Sequence, residues 1–188
     1  MKRRAIQYNA PTTLTFAVIS FLVLCLGFLT DGASTMKLFC VFRSPLTDLL
    51  TYPRFFTHVL GHSSFAHYSS NIMLMLVLGP TLEERYGSRT IFTAIVLTAF
   101  VSGVIQWLFF PRTALLGASG IVFMMILMAS LGGSRGKGVP LTLILVFVIY
   151  VGGEIYDMIT VSDNVSHLTH IIGGICGAVM GTGLRRRK

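Results

Sequence analysis

Leu116-Gly117-Ala118-Ser119-Gly120 places one hydroxyl among small residues at the head of a short apolar run that ends in Gly132-Gly133. By itself a serine beside glycines lets two membrane helices approach closely. Depth adds a second meaning. The thirteen steps from Ser119 to Gly132 cover about 20 Å at helical rise, against a hydrocarbon core of about 30 Å. With the glycine-rich end at one membrane surface, Ser119 lies roughly 10 Å below the other. The segment from Pro111 to Ala118 must then descend as irregular backbone, which is tolerated only where protein or a water-filled cavity satisfies its polar groups. A hydrated cavity at Ser119 is the expectation.

Composition supports a membrane setting. Of 188 residues, 53 % are hydrophobic and 12 % charged, about half the charge of a soluble domain, and the mean hydropathy is +0.75. The net charge of +8 gathers at Lys2, Arg3 and Arg4 and at Arg185, Arg186, Arg187 and Lys188. That placement suits spans anchored at anionic headgroups, not nucleic acid. Cys25, Cys40 and Cys176 are an odd set without paired spacing, so no disulfide framework is expected. The first apolar stretch follows a basic start without a convincing small-x-small cleavage site and is read as a retained span.

Hydropathy and breakers predict an all-α chain of six spans, at about 12–29, 58–79, 90–110, 119–131, 139–156 and 166–184. Between the first two, Lys37, Arg43, Asp48 and Arg54 stand among apolar residues, the pattern of a loop lying on or in the interface. With six spans both termini share a side. That side collects eleven of the 15 basic residues, which makes it cytoplasmic.

The same measure of depth brings a second polar residue to Ser119. His170 lies about 21 Å from the cytoplasmic side, and His67 about 18 Å, with Asn71 about a turn deeper. Gly173, Gly177 and Gly181 share a helix face with His170 and form a ridge that lets a neighbouring backbone come close. An ionisable residue within a span is a functional candidate. A serine hydroxyl needs a base to become a nucleophile, and neutral imidazole can take its proton and return it to a leaving amine. Glu154, Asp157 and Asp163 fall near the outer end, so a Ser119–His170 dyad without a carboxylate is expected. The N–H of Ser119, free at a helix start, and the side chains of His67 and Asn71 are candidate donors to an oxyanion. His167 is a rival base, a turn nearer the outer surface and partly off the glycine face. His58, His62 and His67 do not make a metal site, having no carboxylate or cysteine nearby. His58 and His62 are expected at the wet mouth, and no metal or other cofactor is implied.

These residues resemble the rhomboid family of intramembrane serine proteases, over most of the chain from the second span to the sixth. Gly117-Ala118-Ser119-Gly120 is similar to the family's Gly-x-Ser-Gly nucleophile motif, and His170-Ile171-Ile172-Gly173 with Gly177 to its catalytic-histidine helix. His67 and Asn71 match a His-x3-Asn element, which implies oxyanion stabilisation. Glu83-Glu84-Arg85-Tyr86-Gly87-Ser88 is similar to a charged structural turn, and Glu83 and Arg85 are its marked positions. Pro53-Arg54 stands where a Trp-Arg pair is often found. Phe123 replaces a tyrosine that often stacks on the histidine. The resemblance implies a single rhomboid-like membrane domain over residues 1–188, of the minimal six-span type in a bacterial inner membrane. It implies an endopeptidase acting on single-pass transmembrane proteins in the bilayer. The alternative is a relative that binds spans without cutting them. A small transporter would show paired intramembrane charges or repeated halves, and neither is found.

Overall fold

A computed structural model describes residues 7–132, 141–146, 148 and 167–185. The helices are α1 (Pro11–Leu29), α2 (Ala33–Leu38), α3 (Thr51–Thr57), α4 (Phe65–Tyr86), α5 (Ser88–Phe109), α6 (Ser119–Gly132), α7 (Leu141–Val146) and α8 (His167–Arg185). A single 3-10 turn, His58–Leu60, joins α3 to the loop before α4. The only β pairing among the described residues is an isolated bridge between Val41 and Leu115.

Pro11 opens α1, where its missing N–H is not needed. No side chain of its own caps that helix. Glu83, buried at the far end of α4, does so instead. Its carboxylate accepts from the N–H groups of Thr12 (3.1 Å) and Thr13 (2.7 Å) and from the Thr13 hydroxyl (2.7 Å). A negative charge there also meets the positive end of the α1 dipole. One turn earlier on α4, a side chain at Gly79 would run into Thr13, so the two helices cross in close contact.

The second span differs from its expected bounds of 58–79. Ser64 caps α4 by accepting from the His67 N–H at 3.1 Å, so the helix starts at Phe65. It then continues through Pro80 to Tyr86. The charged stretch from Glu83 to Tyr86 is therefore its last turn and not a turn beyond it. Gly87, at φ +84°, reverses the chain directly into α5.

The segment between α1 and α4 is built on aromatic and cationic contacts. Arg54 is buried, donating to the Lys37 carbonyl (2.8 Å) and to Asp48 (2.9 Å), with its guanidinium over the Phe42 ring. Arg43 lies over Trp107 and donates to that residue's carbonyl at 2.8 Å. The Leu50 N–H and then Arg54 hold the Asp48 carboxyl below the usual carboxylate range.

α6 sits at the centre, apolar almost all round, as a helix buried on every side must be. Ile121, Met124, Met125 and Met128 are fully buried on it, against Met75 of α4 and Ile91 and Ala94 of α5. α8 packs along α6 through its glycines. A Cβ at Gly173 would overlap the Gly120 carbonyl, one at Gly177 the Met124 carbonyl, and one at Gly181 would meet Leu131. The contacts rise together along both helices, so α6 and α8 run parallel.

Thr12 and Ser88 are hydrogen bonded (2.9 Å), which brings the starts of α1 and α5 to the end of the bundle where α4 stops. The last turns of α6 and α8 meet through Leu131 and Gly181. Among the described residues, two helices are long and apolar enough to cross a membrane, Pro11–Leu29 and Ser88–Phe109. Shorter apolar stretches are Ser119–Leu131 and Ile171–Gly181. Most of the expected fifth span, 139–156, lies outside the described residues, as do Glu154, Asp157 and Asp163.

Candidate functional site

Ser119 is the first residue of α6 and is half-buried. The approach to it is irregular backbone, as expected, and four ties hold its last residues, from Leu115 to Ala118. Leu115 and Val41 exchange two backbone hydrogen bonds of 2.9 Å. The Gly117 N–H donates to the His58 carbonyl at 2.9 Å. The Ala118 N–H donates to His62 Nε2 across a long 3.5 Å. The fourth is the His67 imidazole, which covers Gly117 so closely that a Cβ there would stand 2.7 Å from its Nε2. Gly117 has φ +118°, where a side chain is strained in any case.

The Val122 N–H is already bonded to the Ala118 carbonyl at 3.0 Å. The N–H groups of Ser119 and Gly120 come before that first helical bond, at the positive end of the α6 dipole. Ser119 therefore brings a hydroxyl and a backbone donor to one place.

His67 and Asn71 lie one turn apart at the start of α4. The Asn71 amide is buried and donates to the His67 carbonyl at 3.0 Å. His67 Nδ1 is 3.3 Å from the Ser63 hydroxyl. The backbone of α8 lies against Gly120 at Gly173. His170, three residues earlier, is then about 4.5 Å further along the axis, and Ser119 about 1.5 Å from Gly120. The two backbones stand within roughly 3 Å of one level. The side chains of His167 and His170 lie outside the described part. Phe123, one turn into α6, is buried. Glu83 and Arg85 are remote from Ser119. The first caps α1, and the second lies over its neighbour Tyr86.

His58 and His62 are not at a wet mouth. Neither lies on α4, and both are buried, at 0 % and 2 % exposure. His58 Nε2 is 3.0 Å from the Ala99 carbonyl of α5. His62 Nδ1 contacts the Leu60 carbonyl and the Ser20 hydroxyl, each at 3.2 Å. With Nδ1–H donating to a carbonyl, Nε2 is the acceptor that Ala118 needs. The His62 ring also meets the edges of His67 (4.9 Å) and Tyr68 (5.6 Å). These residues position the loop before Ser119, a role that their spacing in the sequence did not reveal. Among the described residues no three His, Cys, Asp or Glu side chains are grouped to hold a metal.

Beside the site a cavity of about 380 Å³ opens between α1, α2 and this loop, lined by Leu24, Asp31, Thr35, His62, Ser63 and Leu116. It reaches the residues that lead to Ser119, while Ser119 is outside its lining.

An apolar helical bundle with a short central helix, opened by a serine on tethered irregular backbone, defines an integral membrane protein with a polar site. The description "Rhomboid domain" matches residues 50–187, and the chain belongs to the rhomboid family. It is similar to the rhomboid protease GlpG of Serratia proteamaculans, 29 % identical over 154 residues, or 79 % of this chain and 54 % of that one. GlpG of Salmonella paratyphi A is 30 % identical over 140 residues, 72 % of this chain and 50 % of the other. The chloroplastic rhomboid-like protein 11 of Arabidopsis thaliana is 25 % identical over 142 residues, 68 % and 50 % of the two chains. The chain thus spans about half the length of the curated relatives it matches.

Proposed function

We propose that the protein is an intramembrane serine endopeptidase that cuts single-pass membrane proteins within or near their spans, using Ser119 and His170. The observation that carries this reading is the contact of Gly173 with Gly120, which brings the backbone before each of them to one level. The similarity to rhomboid proteases supports it. His170 takes the proton of Ser119 Oγ as that oxygen attacks the substrate carbonyl, and the carbonyl oxygen becomes an oxyanion. The Ser119 N–H, with His67 and Asn71, stabilises that charge. Collapse of the intermediate passes the proton from His170 to the leaving amine and leaves an acyl-serine. Water, deprotonated by His170, then releases the acid and restores the serine. A helical substrate must free the bond to be cut from its i→i−4 hydrogen bonds, so spans with Gly or Pro near the site are the favoured substrates.

The reading includes one domain of six spans with both termini cytoplasmic, in a bacterial inner membrane. The basic residues at the termini support the orientation, and the Serratia and Salmonella relatives support the source.

Cleavage of a single-span reporter by purified protein in detergent tests the proposal. Wild type is expected to cut it, and folded Ser119→Ala and His170→Ala variants to lose the activity. His167→Ala should retain it. Loss in His167→Ala with retention in His170→Ala would move the base to His167. Binding of the reporter by wild type without cleavage would replace the enzyme with a span-binding protein.

A further inference from the structure

Away from Ser119, at the end of the bundle that holds the α1 and α5 starts, a groove of about 520 Å³ runs between α5 and α8. Arg89, Thr90 and Thr93 line its outer part, and Ala94, Leu97 and Met180 its inner part. Arg89 is exposed, and among the described residues no carboxylate lines the groove. The polarity is graded along one direction. A guanidinium and two hydroxyls come first, and apolar side chains follow toward Leu97, about 12 Å further along α5. Gly183 borders the groove where a Cβ would meet nothing within 4 Å, so the space beside it is open. Two residues later α8 reaches Arg185, and Arg186, Arg187 and Lys188 follow in the sequence.

We infer that this groove binds an anionic phospholipid, with its phosphate at Arg89 and the two threonines and an acyl chain along Leu97 and Met180. The charge selects the occupant. A free anion would use only the outer part, and a zwitterionic lipid would bring a second cation toward the guanidinium along with its phosphate. The other large groove, about 410 Å³ beside α1 and α5, is lined by residues such as Phe16, Ile19, Phe92 and Ile95 and carries no charged side chain among the described residues. It offers no such selection. The inference does not depend on catalysis.

Native mass spectrometry of the purified full chain tests this, after exchange into detergent micelles holding equal amounts of phosphatidylglycerol and phosphatidylcholine. Wild type is expected to retain phosphatidylglycerol in preference. Arg89→Gln should lower that retention by about fivefold, the worth of one basic side chain at an anionic lipid surface. Gly183→Phe adds bulk at the border of the groove while keeping the Arg89 charge and should lower it as much, whereas Arg112→Gln, outside the groove, should leave it unchanged. Thermal unfolding of each variant checks that it is folded. Equal retention of the two lipids by wild type would overturn the inference. So would undiminished phosphatidylglycerol in both folded variants, or its full displacement by inorganic phosphate.

Discussion

Gly173→Ala adds a single methyl group at the point where α8 lies on α6. That methyl carbon would overlap the Gly120 carbonyl oxygen, which is backbone and cannot rotate aside. To restore an ordinary carbon–oxygen separation of about 3.3 Å the two helices must part by roughly an ångström or more. Overpacking of this kind costs about 1–3 kcal/mol, and an unyielding backbone partner puts this site toward the top of that range. Alanine in place of a helical glycine returns about 0.5–1 kcal/mol, leaving a net loss of roughly 2 kcal/mol. The next residue is the control. A Cβ at Gly174 would stand an ordinary 3.4 Å from Leu127 Cδ1, so Gly174→Ala keeps the helical gain. Two adjacent substitutions of one chemistry should therefore shift thermal unfolding in opposite directions. Displacing His170 from Ser119 by an ångström should also cut reporter cleavage by about a hundredfold in Gly173→Ala. Equal stability of the two variants, with cleavage intact in both, would refute the close helix contact and the positioning built on it.

Three further outcomes follow from other parts of the structure. His62→Ala removes the acceptor of the Ala118 N–H and should lower stability by about 1–2 kcal/mol and the cleavage rate with it. His62→Gln, which can still accept, should recover part of both losses. Glu83→Ala leaves the Thr12 and Thr13 N–H groups without their acceptor, and a loss of about 1–3 kcal/mol is expected in detergent unfolding, with Glu83→Gln intermediate. Asp48 ionises below its ordinary value of 3.8, so its contribution is complete above that pH and disappears as the pH falls through the folded-state value. Asp48→Asn should therefore flatten the acid limb of the stability curve and leave neutral pH almost unchanged, as read from unfolding between neutral pH and pH 3.

Hydropathy and breakers located α1, α5 and α6 because each is a nearly uninterrupted apolar run closed by proline or glycine. The expected 12–29, 90–110 and 119–131 differ from Pro11–Leu29, Ser88–Phe109 and Ser119–Gly132 by no more than two residues at either end. The depth argument also predicted irregular backbone before Ser119. α4 was harder to read. Its start depends on one serine cap among several histidines, and its end on a proline that a membrane helix accommodates. The true functions of Glu83, His58 and His62 were illegible because each acts on backbone distant in the sequence: Glu83 on Thr13, His58 on Ala99 and Gly117, His62 on Ala118. A helix wheel registers only neighbours on its own helix. It is blind to a donor that arrives from another one.

The cap that Glu83 supplies to α1 also has a consequence for biosynthesis. The acceptor lies 70 residues downstream of the donor, so at ordinary translation rates it emerges roughly 4–14 s after Thr13. Through that interval the first turn of α1 must borrow water or lipid headgroups. We expect α1 to enter the bilayer loosely held and to be clamped only when the last turn of α4 leaves the ribosome. Crosslinking from Thr13 in stalled nascent chains of increasing length would date that event. Contact with α4 established before Glu83 is exposed would show that the clamp closes by other means.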